Sequence, residues 1–322
     1  MQIVLFRVIA LVALSLPFVR PAAAVDYPTK PIHWIVPYPP GGTTDILARL
    51  MGQWLSERLG QQFIIENKAG GGNNIGTEAV VNAAPDGYTL LLVNPAHGIN
   101  ATLYKRLTFN VMRDIMSVAG LMRVPNVMEV HQNFPPKTVA EFIAYGKANP
   151  GKINMASSGN GTSVHMSGEM FMAMTGIKMT HVPYRGSAPA LIDIIAGTVD
   201  VMFDNMPSSI EHIRAGKLRP LAVTTENPSE ALPSVPTVAD TVPGYEASAW
   251  FGIGVPKGTP ADVIEKLNKA VNDSLADPKM KARLAELGGT PMPGTPADFG
   301  KVMAAEVAKW KKVVEFSGAS VD

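Results

Sequence analysis

The stretch Trp34-Ile35-Val36-Pro37-Tyr38-Pro39-Pro40-Gly41-Gly42-Thr43-Thr44-Asp45 decides the fold. Its apolar beginning indicates a buried strand, and the prolines and glycines end that strand before a helix begins at Asp45. A helix that starts directly after a strand exposes unpaired N–H groups and the positive end of its dipole at the edge of the sheet. Gly41 and Gly42 let a ligand approach the main chain closely. We therefore expect this turn to bind an anion, with a carboxylate as the working hypothesis.

The same alternation of strand and helix continues from this stretch towards residue 100. Apolar runs predict strands at residues 32–36, 63–66 and 88–93. The helix at residues 45–59 ends at Gly60, and a second helix follows the glycine-rich turn at residues 69–76. Strands that alternate with helices favour a parallel sheet covered on both faces.

A second series of the same kind begins near Val127. Thr138 and Glu141 form a capping box at the start of one helix, and further helices follow the turns at residues 157–162 and 184–189. The predicted strands lie at residues 127–130, 153–156, 179–183, 199–203 and 218–224, with a helix at residues 207–215. The chain therefore contains two α/β units.

The last part of the chain returns to the first unit. Residues 249–255 read as a strand, and helices are predicted at residues 261–276, 278–287 and 296–316. We expect one domain from residues 25–126 plus 249–322 and another from residues 127–248. Two such units joined by crossing segments form a clamshell with the ligand cleft between them, at the carboxyl ends of the strands.

The first 24 residues have the pattern of a secretory signal peptide. Arg7 precedes an apolar run that is too short to span a bilayer, and small residues at 22–24 suit cleavage. The chain has no cysteine, which excludes disulfides and thiolate metal sites. Arg7 and Arg20 leave with the signal, so 26 basic side chains remain against 27 acidic ones. This balance, without a basic run, argues against nucleic acid as a partner. We expect a periplasmic protein.

The sequence gives little indication of a catalytic or cofactor-binding motif. Gly70, Gly72 and Gly76 follow a strand, but their spacing does not match a dinucleotide fingerprint. The six histidines show no metal-ligand spacing, so we expect no metal and no cofactor. The sequence has no Gly-x-Ser-x-Gly elbow. A hydrolase site from Ser158, His165 and Asp204 stays open as an alternative, because the sequence does not reveal spatial proximity.

Many short motifs, in order, resemble the periplasmic solute-binding receptors of tripartite tricarboxylate transporters, the Bug family. The resemblance covers residues 26–320. It rests on the opening stretch and on Tyr27-Pro28-Thr29-Lys30-Pro31-Ile32, Glu66-Asn67-Lys68, Pro85-Asp86-Gly87-Tyr88-Thr89-Leu90, Ala148-Asn149-Pro150-Gly151-Lys152, Val182-Pro183-Tyr184-Arg185-Gly186, Ala215-Gly216-Lys217-Leu218-Arg219-Pro220-Leu221-Ala222-Val223-Thr224, Pro233-Ser234-Val235-Pro236-Thr237 and Pro243-Gly244-Tyr245-Glu246. It implies an α/β protein, a two-domain periplasmic-binding-protein clamshell of type II-like form, each domain a mainly parallel sheet flanked by helices.

The resemblance also implies a receptor, not an enzyme, that closes by a hinge on a small organic carboxylate and presents it to membrane permease subunits. We expect a monomer. A sensory receptor without its own permease, a secreted hydrolase and a dimeric scaffold remain alternatives. The ligand could be a dicarboxylate, a tricarboxylate, an amino acid or an aromatic acid.

The expected binding residues lie in loops from both domains. Thr43 and Ser158 are the first candidates for carboxylate contacts. Asp45 either organises its loop or accepts from a ligand amine or water, and Tyr38 lines the far wall. The role of Arg185 is left open. The full set of expected ligand-binding residues is Tyr38, Gly41, Gly42, Thr43, Asp45, Asn94, His97, Ser158, Gly159, Gly161, Thr162, His165, Tyr184, Gly186, Pro189, Ala190 and Asp204.

Overall fold

The computed structural model describes residues 26–321. The predicted signal peptide, residues 1–24, lies outside them. The strands are β1 Ile32–Val36, β2 Phe63–Asn67, β3 Thr89–Val93, β4 Ile115–His131, β5 Ile153–Ser157, β6 Met179–Pro183, β7 Val201–Asn205, β8 Leu218–Val223, β9 Ser248–Pro256 and β10 Thr290–Pro291. The helices are α1 Thr43–Leu59, α2 Asn74–Val81, α3 Pro95–Leu103, α4 Val111–Asp114, α5 Val139–Ala148, α6 Ser163–Thr175, α7 Ser187–Ala196, α8 Met206–Arg214, α9 Ala261–Ala276, α10 Pro278–Glu286 and α11 Pro296–Ser317. The predicted α/β class is confirmed.

One mixed sheet of ten strands runs through the molecule. Strand β1 pairs in parallel with β2 and β3, and β5 pairs in parallel with β6 and β7, as the sequence predicted. Strands β4 and β9 pair antiparallel with their neighbours, so the sheet as a whole is mixed. The two parallel triplets are the repeated units seen in the sequence.

Strand β4 joins the two triplets. Its residues 115–125 pair with β9, and its residues 126–131 pair with β7 and β8. We call the sheet on the β9 side the first section and the sheet on the β7 side the second section. The sequence predicted only residues 127–130 of this 17-residue strand. Its earlier part was missed because both faces are largely buried, which removes the period-2 alternation of a half-exposed strand.

Helices bury one face against each section. In α1, Leu47, Met51 and Leu55 recur every four residues and are fully buried against the first section. In α6, Phe171 is fully buried and packs against Phe142 of α5 and Phe203 of β7. Each section therefore has its own apolar core, and the turns at the strand ends are left to form a site.

The structure corrects two predicted turns. Asn94 and His97 were expected to lie in a loop, but Asn94 caps α3, which begins at Pro95 and contains His97. Helix α7 begins at Ser187, so Pro189 and Ala190 lie inside its first turn instead of in a loop. In both cases proline occupies a position in the first helical turn, where its missing N–H costs nothing. Across residues 26–321, no helix combines the length and apolar character needed to cross a membrane.

Candidate functional site

A cavity lies between the two sections, at the carboxyl ends of the parallel strands. It contains about 400 Å³ of empty space, including space open to solvent. From the first section it is lined by Tyr38, Pro39, Gly42, Thr43, Thr44, Asn94, Pro95 and Phe251. From the second section it is lined by Ser158, Thr162, Ser163, Gly186, Ser187 and Asn205. This is the switch-point position at which open α/β sheets bind ligands.

Three helices begin at this cavity without a side-chain cap. They are α1 after Gly42, α7 after Gly186 and α8 after Asn205, and no side chain in the described chain accepts from their first N–H groups. The first helical N–H groups have no intrahelical partner, and the positive ends of the helix dipoles add to them. Two of these helices come from the second section and one from the first. A carboxylate in the cavity would therefore meet backbone donors from both sides.

Asn94 adds a side-chain donor to the cavity wall. Its Oδ1 accepts a hydrogen bond of 3.0 Å from the Ala96 N–H at the start of α3. Its Nδ2 is buried and has no partner among residues 26–321. Because the cap fixes the oxygen, the amide nitrogen is the group left for a bound molecule.

Asp204, at the end of β7, lies behind the cavity and accepts hydrogen bonds from three serines. Ser187 Oγ is 2.6 Å from Oδ1, whereas Ser208 Oγ and Ser209 Oγ are 2.5 and 3.0 Å from Oδ2. Asp204 itself is fully buried. Burial raises the pKa of its carboxyl group, and the three hydroxyl donors oppose that rise.

Glu129 of β4 is a second buried acid in the same network. Ser209 Oγ is 2.7 Å from Glu129 Oε1, and Glu129 Oε2 has no partner in the described chain. Burial and, second, the charge of Asp204 raise the pKa of Glu129 well above its usual range. Glu129 is therefore the member of the pair that keeps a proton.

The two sections touch across the cavity, so the cleft is closed. Thr43 Oγ1 of α1 is 3.1 Å from Ser208 Oγ of α8. Gly41, at a φ of +90°, lies so close to α7 that an added Cβ would be 3.3 Å from the Ala188 Cβ. At Gly161 an added Cβ would be 2.2 Å from the Asn100 Oδ1 of α3. The glycines therefore permit close approach between the sections.

A wider outer cleft adjoins the cavity and contains about 1050 Å³ of empty space, including space open to solvent. It shares Tyr38, Pro39, Ser158 and Gly186 with the cavity and adds Gly159, Tyr184, Arg185 and the glycine-rich turn at residues 70–73. The glycines considered as a dinucleotide fingerprint therefore belong to a turn that lines the cleft. Burial and the neighbouring Asp193 raise the pKa of Tyr184 to about 12, so its hydroxyl keeps its proton.

Of the 17 expected binding residues, seven line the inner cavity: Tyr38, Gly42, Thr43, Asn94, Ser158, Thr162 and Gly186. Gly159 and Tyr184 line the outer cleft. The remaining eight line neither surface: Gly41, Asp45, His97, Gly161, His165, Pro189, Ala190 and Asp204.

Asp45 and His97 organise the loops of the first section. Asp45 accepts the Gly41 N–H at 3.1 Å and pairs with Arg49 at 2.9 Å. His97 Nδ1 lies 3.1 Å from the Asn94 N–H, and its Nε2 lies 3.0 Å from Thr77 Oγ1. Burial lowers the pKa of His97 to about 4, so its ring is neutral at pH 7. Asp45 thus has the loop-organising place that the sequence suggested.

The proposed hydrolase constellation is not assembled. Asp204 is occupied by three serines, and His165 Nε2 lies 3.3 Å from Glu169. His165 also accepts the Gly161 N–H at 3.3 Å and stacks on His181, with ring centroids 4.0 Å apart. Among residues 26–321, no group of three histidine or acidic side chains is placed to hold a metal ion.

Four residues of the site were not predicted as site residues from the sequence: Ser187, Ser208, Ser209 and Glu129. Ser187 was assigned to a loop, whereas the serines of α8 follow a strand predicted to end at Phe203 instead of Asn205. Serines in the first turns of helices that follow strands could have indicated them. Glu129 offers no such signal, because its neighbour Asp204 is 75 positions away in the chain.

A cleft between two α/β sections, with helix N-termini converging on it, defines the class of solute-binding proteins. The family model described as the tripartite tricarboxylate transporter family receptor matches residues 47–318. The chain belongs to this family of receptors, as the sequence motifs predicted, and it is a ligand-capturing receptor with the periplasmic-binding-protein fold.

Three solved structures are similar over nearly the whole chain. Rpa4515 of R. palustris with adipate is 39% identical, with a TM-score of 0.89, over 91% of this chain and 99% of that one. MatC from Rhodopseudomonas palustris with bound malate is 31% identical, with a TM-score of 0.86, over 89% and 100%. The periplasmic binding protein BugD is 32% identical, with a TM-score of 0.88, over 91% and 99%. The predicted clamshell fold is thereby confirmed.

Proposed function

We propose that this receptor captures a small organic dicarboxylate and holds one carboxylate between the uncapped starts of α1, α7 and α8. The observation that carries this proposal is the convergence of these three helix N-termini from both sections on one cavity. Thr43 and Ser187 occupy the first positions of α1 and α7 and supply backbone N–H groups. The similar proteins whose structures contain adipate or malate support the ligand class.

These contacts are strong enough for capture without an arginine clamp. A hydrogen bond to a charged group contributes roughly 1.5–3 kcal/mol, and a helix terminus adds roughly 0.3–1 kcal/mol. Three or four such contacts, reduced by the cost of association, reach the roughly 8 kcal/mol that corresponds to micromolar affinity. The second carboxylate would lie towards Asn94 Nδ2 or the outer cleft, where Arg185 offers further donors.

The domains would be residues 25–126 plus 249–322 and residues 127–248, as the sequence suggested. Strands β4 and β9 cross between them and would serve as the hinge. The closed arrangement has the Thr43 to Ser208 contact between the domains, and an open form would lose it. Ligand that contacts both sides favours the closed form by its differential affinity.

The protein would act in the periplasm and deliver its ligand to the membrane permease subunits of a tripartite transporter. The signal-peptide pattern and membership in this receptor family support both proposals. We propose that the receptor is a monomer. We also propose that it has no catalytic activity, since the cavity formed by residues 26–321 holds donors for an anion and no assembled nucleophile and base. A sensory role would use the same binding site.

Isothermal titration calorimetry of residues 25–322 with adipate, malate, citrate, glutamate and benzoate tests the proposal. Thermal shift provides a parallel readout, because a ligand at 100 times its dissociation constant stabilises by about 2.7 kcal/mol. We expect micromolar binding of one or a few dicarboxylates, each recovered chemically unchanged. Absence of binding to every acid, or conversion of a bound acid into a product, would contradict the proposal.

A further inference from the structure

Ser187 has an unusual position in the cavity wall. Its hydroxyl has one hydrogen-bond partner within residues 26–321, the Asp204 Oδ1 at 2.6 Å, and the side chain lines the cavity. A hydroxyl group carries a single proton and two acceptor lone pairs. Which of these faces a ligand therefore depends on whether Ser187 donates to Asp204 or accepts from it.

The network behind Ser187 settles the direction. Ser209 is in contact with both acids, at 2.7 Å from Glu129 Oε1 and 3.0 Å from Asp204 Oδ2, but it has one proton to give. Both contacts are hydrogen bonds only if one of the two acids is protonated. Asp204 is surrounded by three serine hydroxyls, which together stabilise a carboxylate, whereas Ser209 is the single side-chain partner of Glu129 within residues 26–321. The proton is therefore assigned to Glu129, which donates to Ser209, and Ser209 donates to Asp204. An unpartnered Oε2 on a fully buried Glu129 also disfavours its charged form. Asp204 is then an ionised acceptor, and Ser187 must donate to it.

The lone pairs of Ser187 therefore face the cavity. This acceptor lies beside the proposed carboxylate position, because Ser187 Oγ is 4.0 Å from where a Cβ on Gly42 would be, at the start of α1. Ser187 also begins α7, whose N–H groups point into the same space. A ligand that brings a carboxylate and nothing else would leave this buried acceptor without a partner, which carries a cost.

We infer that the receptor selects carboxylates that carry a hydroxyl group next to the bound carboxylate, with Ser187 accepting from that hydroxyl and Asp204 orienting Ser187. This inference rests on the proposed function and specifies its ligand class. A neutral hydroxyl group on the ligand suits the place beside Ser187, because the Asp204 carboxylate already accepts hydrogen bonds from three serine hydroxyls. Asp204 is a positioning residue, since it acts through Ser187.

The test compares matched acids that differ by one hydroxyl group: succinate with each enantiomer of malate, and adipate with each enantiomer of 2-hydroxyadipate. Calorimetry on the wild-type protein should show one hydroxy acid binding about two- to tenfold tighter than its parent acid, the range for one neutral hydrogen bond. Equal affinities within both pairs would overturn the inference while leaving the proposed function intact. Failure of every acid to bind would overturn both.

Three variants locate the effect. Ser187→Ala should reduce the preference to about one, because it weakens binding of the hydroxy acid more than binding of the parent acid. Asp204→Asn gives Ser187 a donor, which turns the serine proton towards the cavity, so the preference should disappear or reverse. Ser274→Ala is the control variant. Ser274 is another fully buried serine, whose hydroxyl donates to Ala270 O within α9 and which does not line the cavity. This variant should keep the wild-type preference. A preference unchanged in both Ser187→Ala and Asp204→Asn would overturn the inference. If either variant fails to fold, the other variant and the wild-type pairs decide.

Discussion

Replacement of Gly161 by alanine separates the cost of closing the cleft from the cost of folding. Gly161 lies in the turn before α6 at a φ of +76°, and an added Cβ would be 2.2 Å from Asn100 Oδ1 and 3.0 Å from Leu103 Cδ2. Asn100 cannot easily move away, because its amide donates to Gly72 O at 2.6 Å and to Asn74 Oδ1 at 3.0 Å. Asn100 and Leu103 belong to α3, which the proposed domain division assigns to the domain opposite Gly161.

Two costs are expected from this substitution. The left-handed backbone costs roughly 1–2 kcal/mol in any folded state, open or closed. If the cleft opens by the proposed hinge, the overlap with α3 is lost in the open form, and overpacking of this kind costs roughly 1–3 kcal/mol in the closed form. Since the proposed binding proceeds by closure, the dissociation constant should rise by about 5- to 150-fold.

Gly176→Ala is the matched control. Gly176 follows α6 at a φ of +73°, and an added Cβ would meet nothing within 4 Å. Urea unfolding of the ligand-free proteins should show similar losses of stability for both variants. Calorimetry with the tightest dicarboxylate should show weakened binding for Gly161→Ala alone. Equal affinities of the two variants would refute closure at this contact.

Three further predictions use other contacts of the site. Asn94→Asp keeps an acceptor for the Ala96 N–H but replaces the donor Nδ2 by a negatively charged oxygen. The affinity for the dicarboxylate, measured by calorimetry, should therefore fall at least tenfold, with little change in melting temperature. An unchanged affinity would place the ligand away from Asn94. In a double-mutant cycle of Thr43→Val and Ser208→Ala, the free energies of ligand binding should show a coupling of about 0.5–1.5 kcal/mol between the two residues. A coupling seen only in the unfolding free energy of the ligand-free protein would argue against a contact made on closure. Burial holds the pKa of His97 at about 4 in the folded protein, below the roughly 6.5 of an unfolded chain. The unfolded state therefore binds more protons, and the folded protein loses stability as the pH falls from about 6.5 to about 4. That loss is roughly 3 kcal/mol for this group, and urea unfolding at several pH values should show a shallower dependence for His97→Gln; an identical dependence would contradict the burial of a neutral ring.

Local signals explain what the sequence could predict. The strand, the two glycines and the helix around Gly41 and Gly42 are encoded within a dozen residues, and the same is true of the capping box at Thr138. These signals were enough to indicate the two α/β units, and the family motifs added the binding loops from which seven residues line the inner cavity. The family motifs supplied the class of protein.

The unpredicted features depend on contacts between distant parts of the chain. Strand β4 is long because it pairs with β9 and then with β7 and β8, which no local pattern encodes. The network of Glu129, Ser209 and Asp204 exists because β4 and β7 are neighbours in the sheet, and Ser209 reaches both acids from α8. The polarity of Ser187 follows from that network and therefore cannot be read from its own position in the sequence.

A crystal structure of residues 25–322 with the tightest dicarboxylate would show directly where the ligand is held. We expect one ligand carboxylate within hydrogen-bond distance of N–H groups in the first turns of α1 and α7, with the Thr43 to Ser208 contact kept. A ligand held in the outer cleft by the Arg185 side chain, with no contact to those helix starts, would contradict carboxylate capture by the helix N-termini.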